Sequence, residues 1–175
     1  DCIEGMAFTV DDIVVAQFET PIATTLAAFK TARLAGAKTL LNPSPVVPIQ
    51  PELLAQIDIL VVNEHEFELI FETPLAPVLN DQAGKPEEFS GTLVITLGSE
   101  GVLALSENDR IKQAGRTVEV IDSTGAGDCF MGYLAAALHN QEDFTSALAL
   151  ANLAASDSVT RPGAASSMPD RASLE

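Results

Sequence analysis

The sequence predicts an α/β fold, a three-layer α/β/α arrangement around a mainly parallel central sheet. Three observations point there. Short apolar, β-branched runs alternate with segments of helical spacing along the chain, as strands do when crossover helices join them. The strand-like runs read as buried, which suits a sheet covered on both faces. Polar residues that could do chemistry (Glu19, Asn42, Asn63, Glu66, Gly98, Asp122) follow these runs, and ligands of such sheets bind at the strand C-terminal edge.

Residues 12–18 read as the first strand. Pro21 then opens a helical stretch over 22–34, with Ile22, Leu26, Phe29, Ala32 and Leu34 at apolar positions and Gly36 as its stop. Residues 38–41 form the next strand, closed by Asn42-Pro43-Ser44-Pro45. A short helix is expected over 51–56, a strand over 57–62 and a short helix over 64–71. The stretch 73–91, with Pro74, Pro77, Gly84 and Pro86, reads as loop around one short helix. Strands follow at 92–97, 102–106 and 116–121, with a turn at 107–109. Two apolar helices are expected near 126–140 and 144–159, then a Pro/Gly/Ser-rich tail from Arg161. No internal repeat or linker interrupts the chain, so residues 1–175 read as one domain.

The chain has 175 residues and a net charge of −16, from 25 acidic and 9 basic side chains. Nonspecific nucleic-acid binding needs a basic surface, so that class is set aside. No apolar run reaches membrane-spanning length, and no basic n-region marks a signal peptide. No membrane association and a cytoplasmic setting are therefore expected. The first residue is Asp1 rather than Met, so the chain is expected to start inside a longer protein or to be trimmed. Cys2 and Cys129 lie far apart, without metal-ligand spacing, and read as reduced thiols. His65 and His139 read as surface or helix-end residues.

The most informative stretch is 120–138, where Val120-Ile121 leads through Asp122-Ser123-Thr124-Gly125-Ala126-Gly127-Asp128 into an Ala-rich helix. A strand, a small-residue turn and a helix in that order place unpaired backbone N–H groups at a positive helix end. Gly125 and Gly127 allow close approach of a ligand. A carboxylate beside bound phosphate is costly unless it does chemistry, and accepting a proton from an attacking hydroxyl is such a task. The bland alternative is a helix N-terminus capped by Asp128. Asn63-x-x-Glu66 could place an amide and a carboxylate on one helical face for a hydrated Mg²⁺, or could simply be a capping box. Thr96-Leu97-Gly98-Ser99-Glu100-Gly101 could offer backbone and hydroxyl contacts, or be a hairpin turn. Glu19 could accept hydrogen bonds from two adjacent hydroxyls of a polyol, or serve the start of the following helix. Cys129 is not read as a nucleophile, because no base is placed near it by sequence.

Residues 122–128 resemble the C-terminal signature of the ribokinase-like carbohydrate kinases, the PfkB family. Asn42-Pro43-Ser44-Pro45, Asn63-x-x-Glu66 and Thr96 to Gly101 resemble further motifs in that family's order. The resemblance implies ATP-dependent phosphorylation of a sugar hydroxyl, of ribose or a related sugar. It implies Asp128 as general base in contact with the acceptor, Gly125, Ala126 and Gly127 as the anion hole, and Glu19 on the sugar. It puts Asn63, Thr96, Gly98, Ser99, Gly101 and Asn152 beside the nucleotide. Glu66 would hold Mg²⁺, through water. Asp122, Thr124, Ser158, Arg161, Gly163 and Ser167 would form a site for a monovalent cation such as K⁺. Sugar and ATP are then the partners, with a homodimer in the full-length parent.

The resemblance covers only the C-terminal half to three fifths of such a kinase. The family's N-terminal strands, its β-lid and its Gly-Gly substrate motif have no counterpart here, and the chain holds no Gly-Gly pair. A noncatalytic nucleotide-binding or regulatory fragment, or an adenosine or fructose kinase relative, therefore stays open. A Rossmann dinucleotide enzyme is disfavoured, because no G-x-G-x-x-G follows an early strand.

Overall fold

The computed structural model describes residues 5–174, so Cys2 lies outside it. In chain order the elements are β1 (Ile13–Gln17), α1 (Ile22–Leu34), β2 (Lys38–Asn42), α2 (Pro51–Leu54), β3 (Ile59–Asn63), α3 (Glu64–Phe71), α4 (Ala76–Leu79) and β4 (Thr92–Thr96). Then come β5 (Gly101–Leu105), β6 (Arg110–Ala114), α5 (Ala126–His139) and α6 (Phe144–Ser158). The strand order is β1-β2-β3-β4-β5-β6. β1 to β4 are parallel, with Gln17 opposite Asn42 and Asn63 opposite Thr96. Their C-terminal ends therefore fall in one row. The chain divides into two compact units, residues 1–96 with 104–110 and residues 97–103 with 111–175.

In the first unit the sheet is covered on both sides. Ile59, Leu60, Val61 and Val62 are all buried, as are Leu93, Val94 and Ile95. Successive strand residues point to opposite faces, so a fully buried run requires a layer on each. β1 is different: its residues are only half-buried and Val15 is exposed. Helix α1 packs against β1 and β2 through Thr25, Phe29 and Ala32, spaced as one helical face. It ends as its glycine requires. Gly36 has φ 81°, Gly36 N donates to Arg33 O and Ala37 N to Ala32 O, which is a Schellman closure.

Leu34 does not join that face and is 90% exposed. It lies five positions past Phe29, roughly 140° round the helix. The apolar residue at the helix end was expected on the core side, and helical geometry puts it on the other.

The second unit is built on α5 and α6, which pack against each other with Leu134, Ala137, Ala147, Leu148, Ala151 and Ala154 buried. Small residues at most of these positions let the helix backbones approach closely. Asp143 starts α6, its carboxylate accepting from Ser146 N at 3.0 Å, as an N-cap does.

Two expectations fail at the strands. Residues 116–121 form no strand. Ile121 N and Asp122 N both donate to Val159 O just past α6, and Val120 and Ile121 are 61% and 60% exposed. β-propensity without a neighbouring strand to pair with does not make a strand. β6 instead lies at 110–114, where exposed and half-buried residues alternate. Lys112 and Gln113 interrupt the apolar run, so the sequence of this strand carries no hydrophobic signature. Helix α5 thus follows an irregular segment, not a strand.

In urea denaturation Phe29→Ala is expected to cost about 3–5 kcal/mol, while Leu34→Ser changes stability by less than about 0.5 kcal/mol. Comparable losses at both positions would contradict the assignment of faces.

Candidate active site

In the second unit Gly125 precedes α5 with φ 76°, and no side chain caps the helix. The first-turn residues are Ala126, Gly127 and Asp128. Ala126 N donates to Ser123 O at 3.2 Å. Helix-start amides lack intrahelical acceptors and carry the positive end of the dipole. Asp128 is exposed in this first turn, so it stands at the surface and not in the interior. The N-cap position belongs to Gly125, and Asp128 is the third residue of the helix.

Gly125 and Gly127 have different reasons to be glycine. Gly125 needs its positive φ, and a Cβ there would come within 3.3 Å of Ala164. Gly127 has neither constraint: a Cβ would meet nothing within 4 Å. The fold does not require a glycine at 127, and a close-approaching ligand would.

The turn is tied to the tail by Asp122. Its Oδ1 accepts from Thr124 N and its Oδ2 from Gly163 N, each at 2.9 Å. These bonds, led by Gly163, hold the carboxyl well below its ordinary value, at about 2. Ser158 Oγ donates to Ala155 O and Ser167 Oγ to Ala164 O, each at 2.8 Å. Arg161 pairs with Asp157 and also donates to Ser167 O at 3.3 Å. The residues expected around a monovalent cation thus lie in the turn before α5, at the last residue of α6 and in the segment after it. The hydroxyls of Ser158 and Ser167 and the Arg161 guanidinium are engaged by main-chain carbonyls there.

The Thr96 to Gly101 segment forms a 3₁₀ turn at Gly98–Glu100. Gly98 and Ser99 are exposed. Gly101 is buried with φ 102°, and a Cβ there would lie 2.1 Å from Gln113 O. Its glycine is explained by backbone packing within the second unit. Asn152 Nδ2 donates to Ala114 O at 2.9 Å, which fixes the amide's orientation, since a carbonyl can only accept.

In the first unit the strand ends are cross-linked by polar side chains. Gln17 Nε2 donates to Asn42 Oδ1 at 3.2 Å, Asn42 Nδ2 to Val61 O at 3.0 Å, and Thr96 Oγ1 to Val62 O at 3.3 Å. Gln17 was not singled out from sequence, although its polar character at a strand end was visible. Asn63 and Glu66 form a reciprocal capping box: Asn63 Oδ1 accepts from Glu66 N at 2.8 Å and Glu66 Oε2 accepts from Asn63 N at 2.9 Å. Among the described residues no group of three or more His, Cys, Asp or Glu could hold a metal ion. Mg²⁺ does not need one, because it keeps several waters and takes one or two carboxylates plus substrate phosphates. Glu66 is buried at 7% exposure and uses Oε2 in the cap. Glu19 is exposed on the turn after β1, and the N-cap of α1 is Pro21 without a side-chain cap.

A cavity of about 820 Å³, lined among others by Lys85, Phe89, Glu107 and Arg110, opens in the first unit. None of the motif residues lines it. Cys129 is buried, and burial raises its thiol pKa, as expected of a packing residue.

With this geometry in view, comparison with known proteins is decisive for the family. The pfkB family carbohydrate kinase model matches residues 4–171. The chain belongs to the pfkB carbohydrate kinase family. This pfkB chain is 37% identical over 165 residues to the ribokinase of Staphylococcus aureus, covering 90% of itself and 53% of that protein. It is 36% identical over 163 residues to the ribokinase of Haemophilus influenzae, covering 91% and 53%. Among solved structures, Arabidopsis thaliana ribokinase complexed with ribose and ATP superposes with a TM-score of 0.84 at 30% identity, over 93% of this chain and 54% of that one. Ribokinase from Thermotoga maritima gives 0.76 at 30% identity, over 93% and 55%. The ribokinase-like α/β fold read from sequence is therefore the observed one. The chain spans about half the length of the curated relatives it matches.

Because the folded pKa of Asp122 lies below its ordinary 3.8, protonation favours the unfolded state. The stabilisation is fully present above about pH 4 and is lost as the pH falls through about 2. A carboxyl ¹³C titration is expected to show Asp122 ionising near 2, and Asp122→Asn should lessen the acid sensitivity of unfolding between those values. A midpoint at 3.8 or higher would mean the tie to Gly163 is not formed in solution.

Proposed function

We propose that this chain carries the phosphotransfer half of an ATP-dependent sugar kinase. The observation that carries the reading is Gly127, a glycine the fold does not need, next to an exposed Asp128 on the first turn of a helix. The acceptor hydroxyl gives its proton to Asp128 as its oxygen forms the new bond to the terminal phosphorus of ATP. The bond from that phosphorus to the bridging oxygen breaks, and ADP leaves. The amides of the 125–128 turn take up the charge spread over the transferring phosphoryl oxygens. Bound Mg²⁺ would neutralise charge on the β- and γ-phosphate oxygens.

Glu66 would bind Mg²⁺ through water, and Asn63 and Thr96 would orient the phosphates from the strand ends. Gly98, Ser99, Gly101 and Asn152 would flank the nucleotide, and Glu19 would accept from sugar hydroxyls. Carbonyls near Asp122, Thr124, Ser158, Arg161, Gly163 and Ser167 would hold K⁺. Ribose or a related sugar is the acceptor favoured by the relatives, one of which was solved with ribose and ATP. A homodimer of the full-length protein and a cytoplasmic setting belong to the same reading and rest on the family resemblance. The described residues include no helix long and apolar enough to cross a membrane.

One observation favours a second reading. The chain spans 53% of its ribokinase relatives, so it could bind nucleotide without phosphorylating anything. An ATP-consumption assay with ribose, fructose and adenosine, with and without K⁺, separates the two. Sugar-dependent ADP release supports catalysis, and nucleotide binding without release supports the second reading.

Asp128→Asn is expected to keep ATP binding and to lower turnover by roughly 10²- to 10⁴-fold. Wild-type turnover in that variant would remove the base assignment. Gly127→Ala is expected to leave thermal stability equal or slightly raised, by up to about 1 kcal/mol, while weakening ATP binding. If it binds ATP normally, the open space at 127 is not a phosphate approach.

A further inference from the structure

We propose that Tyr133 is a positioning residue for this reaction: its hydrogen bond to Pro169 holds the 163–169 loop against Gly125 and so sets the backbone of the anion-hole turn. This rests on reading that turn as the anion hole. The Tyr133 hydroxyl donates to Pro169 O at 2.6 Å, and Pro169 is buried. The loop is held at its other end by Gly163 N on Asp122 Oδ2. Between these anchors Ala164 lies against Gly125, close enough that a Cβ on Gly125 would come within 3.3 Å of it. Beyond the loop Arg171 pairs with Glu142 at 2.7 Å. The loop is therefore a strap along α5, fastened at its two ends, with the turn under its first part.

Neither fastening is made by a group that must touch substrate. Removing the hydroxyl leaves the Pro169 carbonyl without its donor, and an acceptor on a buried residue without a partner favours a shifted loop. A shifted loop no longer supports Gly125, whose positive φ depends on its surroundings. The bond also requires a neutral phenol. Tyr133 faces Cys129 on α5, Asp157 on α6, and Asp170 and Arg171 just beyond the strap, and burial raises its pKa above 10.0. The strap is thus fully fastened below about pH 10 and loosens only as the pH rises past that.

Amide hydrogen exchange on the folded chain at neutral pH, with Tyr133→Phe, tests the strap. Exchange at Gly163 and Ser167 is expected to rise roughly threefold to tenfold, the range set by one net hydrogen bond. The same rise is expected at Thr124 and Ala126 in the turn, with Leu148 and Ala151 of α6 unchanged. Faster exchange in the loop with no change in the turn would overturn the proposal, as would a uniform rise that includes α6. If Tyr133→Phe folds poorly, Met168→Gly, which frees the loop without touching α5, is expected to give the same pattern.

The positioning role is read from nucleotide affinities. ADP should bind Tyr133→Phe within about twofold of wild type, while the preference for ATP over ADP falls threefold or more, since only the terminal phosphate meets the turn. Equal loss for both nucleotides, or none for either, would make Tyr133 merely structural. A wild-type chain that binds neither nucleotide counts against the proposed function, and the exchange pattern then decides the strap on its own.

Discussion

Both oxygens of one carboxylate are committed to the backbone. Asp122 accepts from Thr124 N and from Gly163 N, in segments 41 residues apart at the second contact. An ionised carboxylate accepting two N–H bonds is a strong, directional tie. Gly125, one residue past Thr124, is held in a left-handed conformation with Ala164 beside it. The start of α5 therefore has a defined geometry before any ligand arrives. Preorganised amides are effective because they need not reorient when charge develops. In a chain of net charge −16, such a local source of positive potential is what the proposed function would use to hold an anionic nucleotide.

The first unit applies the same logic by other means. Its parallel strands end in a row, and Gln17, Asn42 and Thr96 bond across to the neighbouring strand end or its carbonyl. The capping box of Asn63 and Glu66 fixes the first turn of α3. Side chains placed on such elements are held more precisely than side chains on free loops. Glu66 gives Oε2 to the cap, and under the proposed function the same fixed carboxylate would meet a hydrated cation in a constant place.

Much of the fold was legible because the signals were local. Helix α1 begins and ends where Pro21 and Gly36 place its boundaries, and α3 begins at its capping residues. The parallel order followed from alternation of strands and helices. What was not legible depended on partners distant in sequence. Residues 116–121 have strand composition but bond to Val159 O at the end of α6, a fact no local pattern contains. β6 shows only a weak alternation, and three of its five residues, Arg110, Lys112 and Gln113, are polar. Leu34 satisfies hydropathy but not helical phase. For the candidate site, the residue types were readable and the reasons for them were not. Gly101 is fixed by Gln113 and Gly125 by Ala164, while Gly127 is fixed by neither fold nor neighbour. Only coordinates separate the glycines that the backbone requires, Gly101 and Gly125, from those it does not, Gly127 and Gly132. Tyr133 gave no sequence signal at all, because its partner is a carbonyl 36 residues away.

Under the proposed function the first turn of α5 receives the terminal phosphate of ATP. The most direct measurement is an NMR titration of the ¹⁵N-labelled chain with MgATP and, separately, MgADP. The amides of Gly125, Ala126, Gly127 and Asp128 are expected to shift most with MgATP and much less with MgADP. Equal shifts with both nucleotides, or ATP-dependent shifts confined to residues outside this turn, would contradict it.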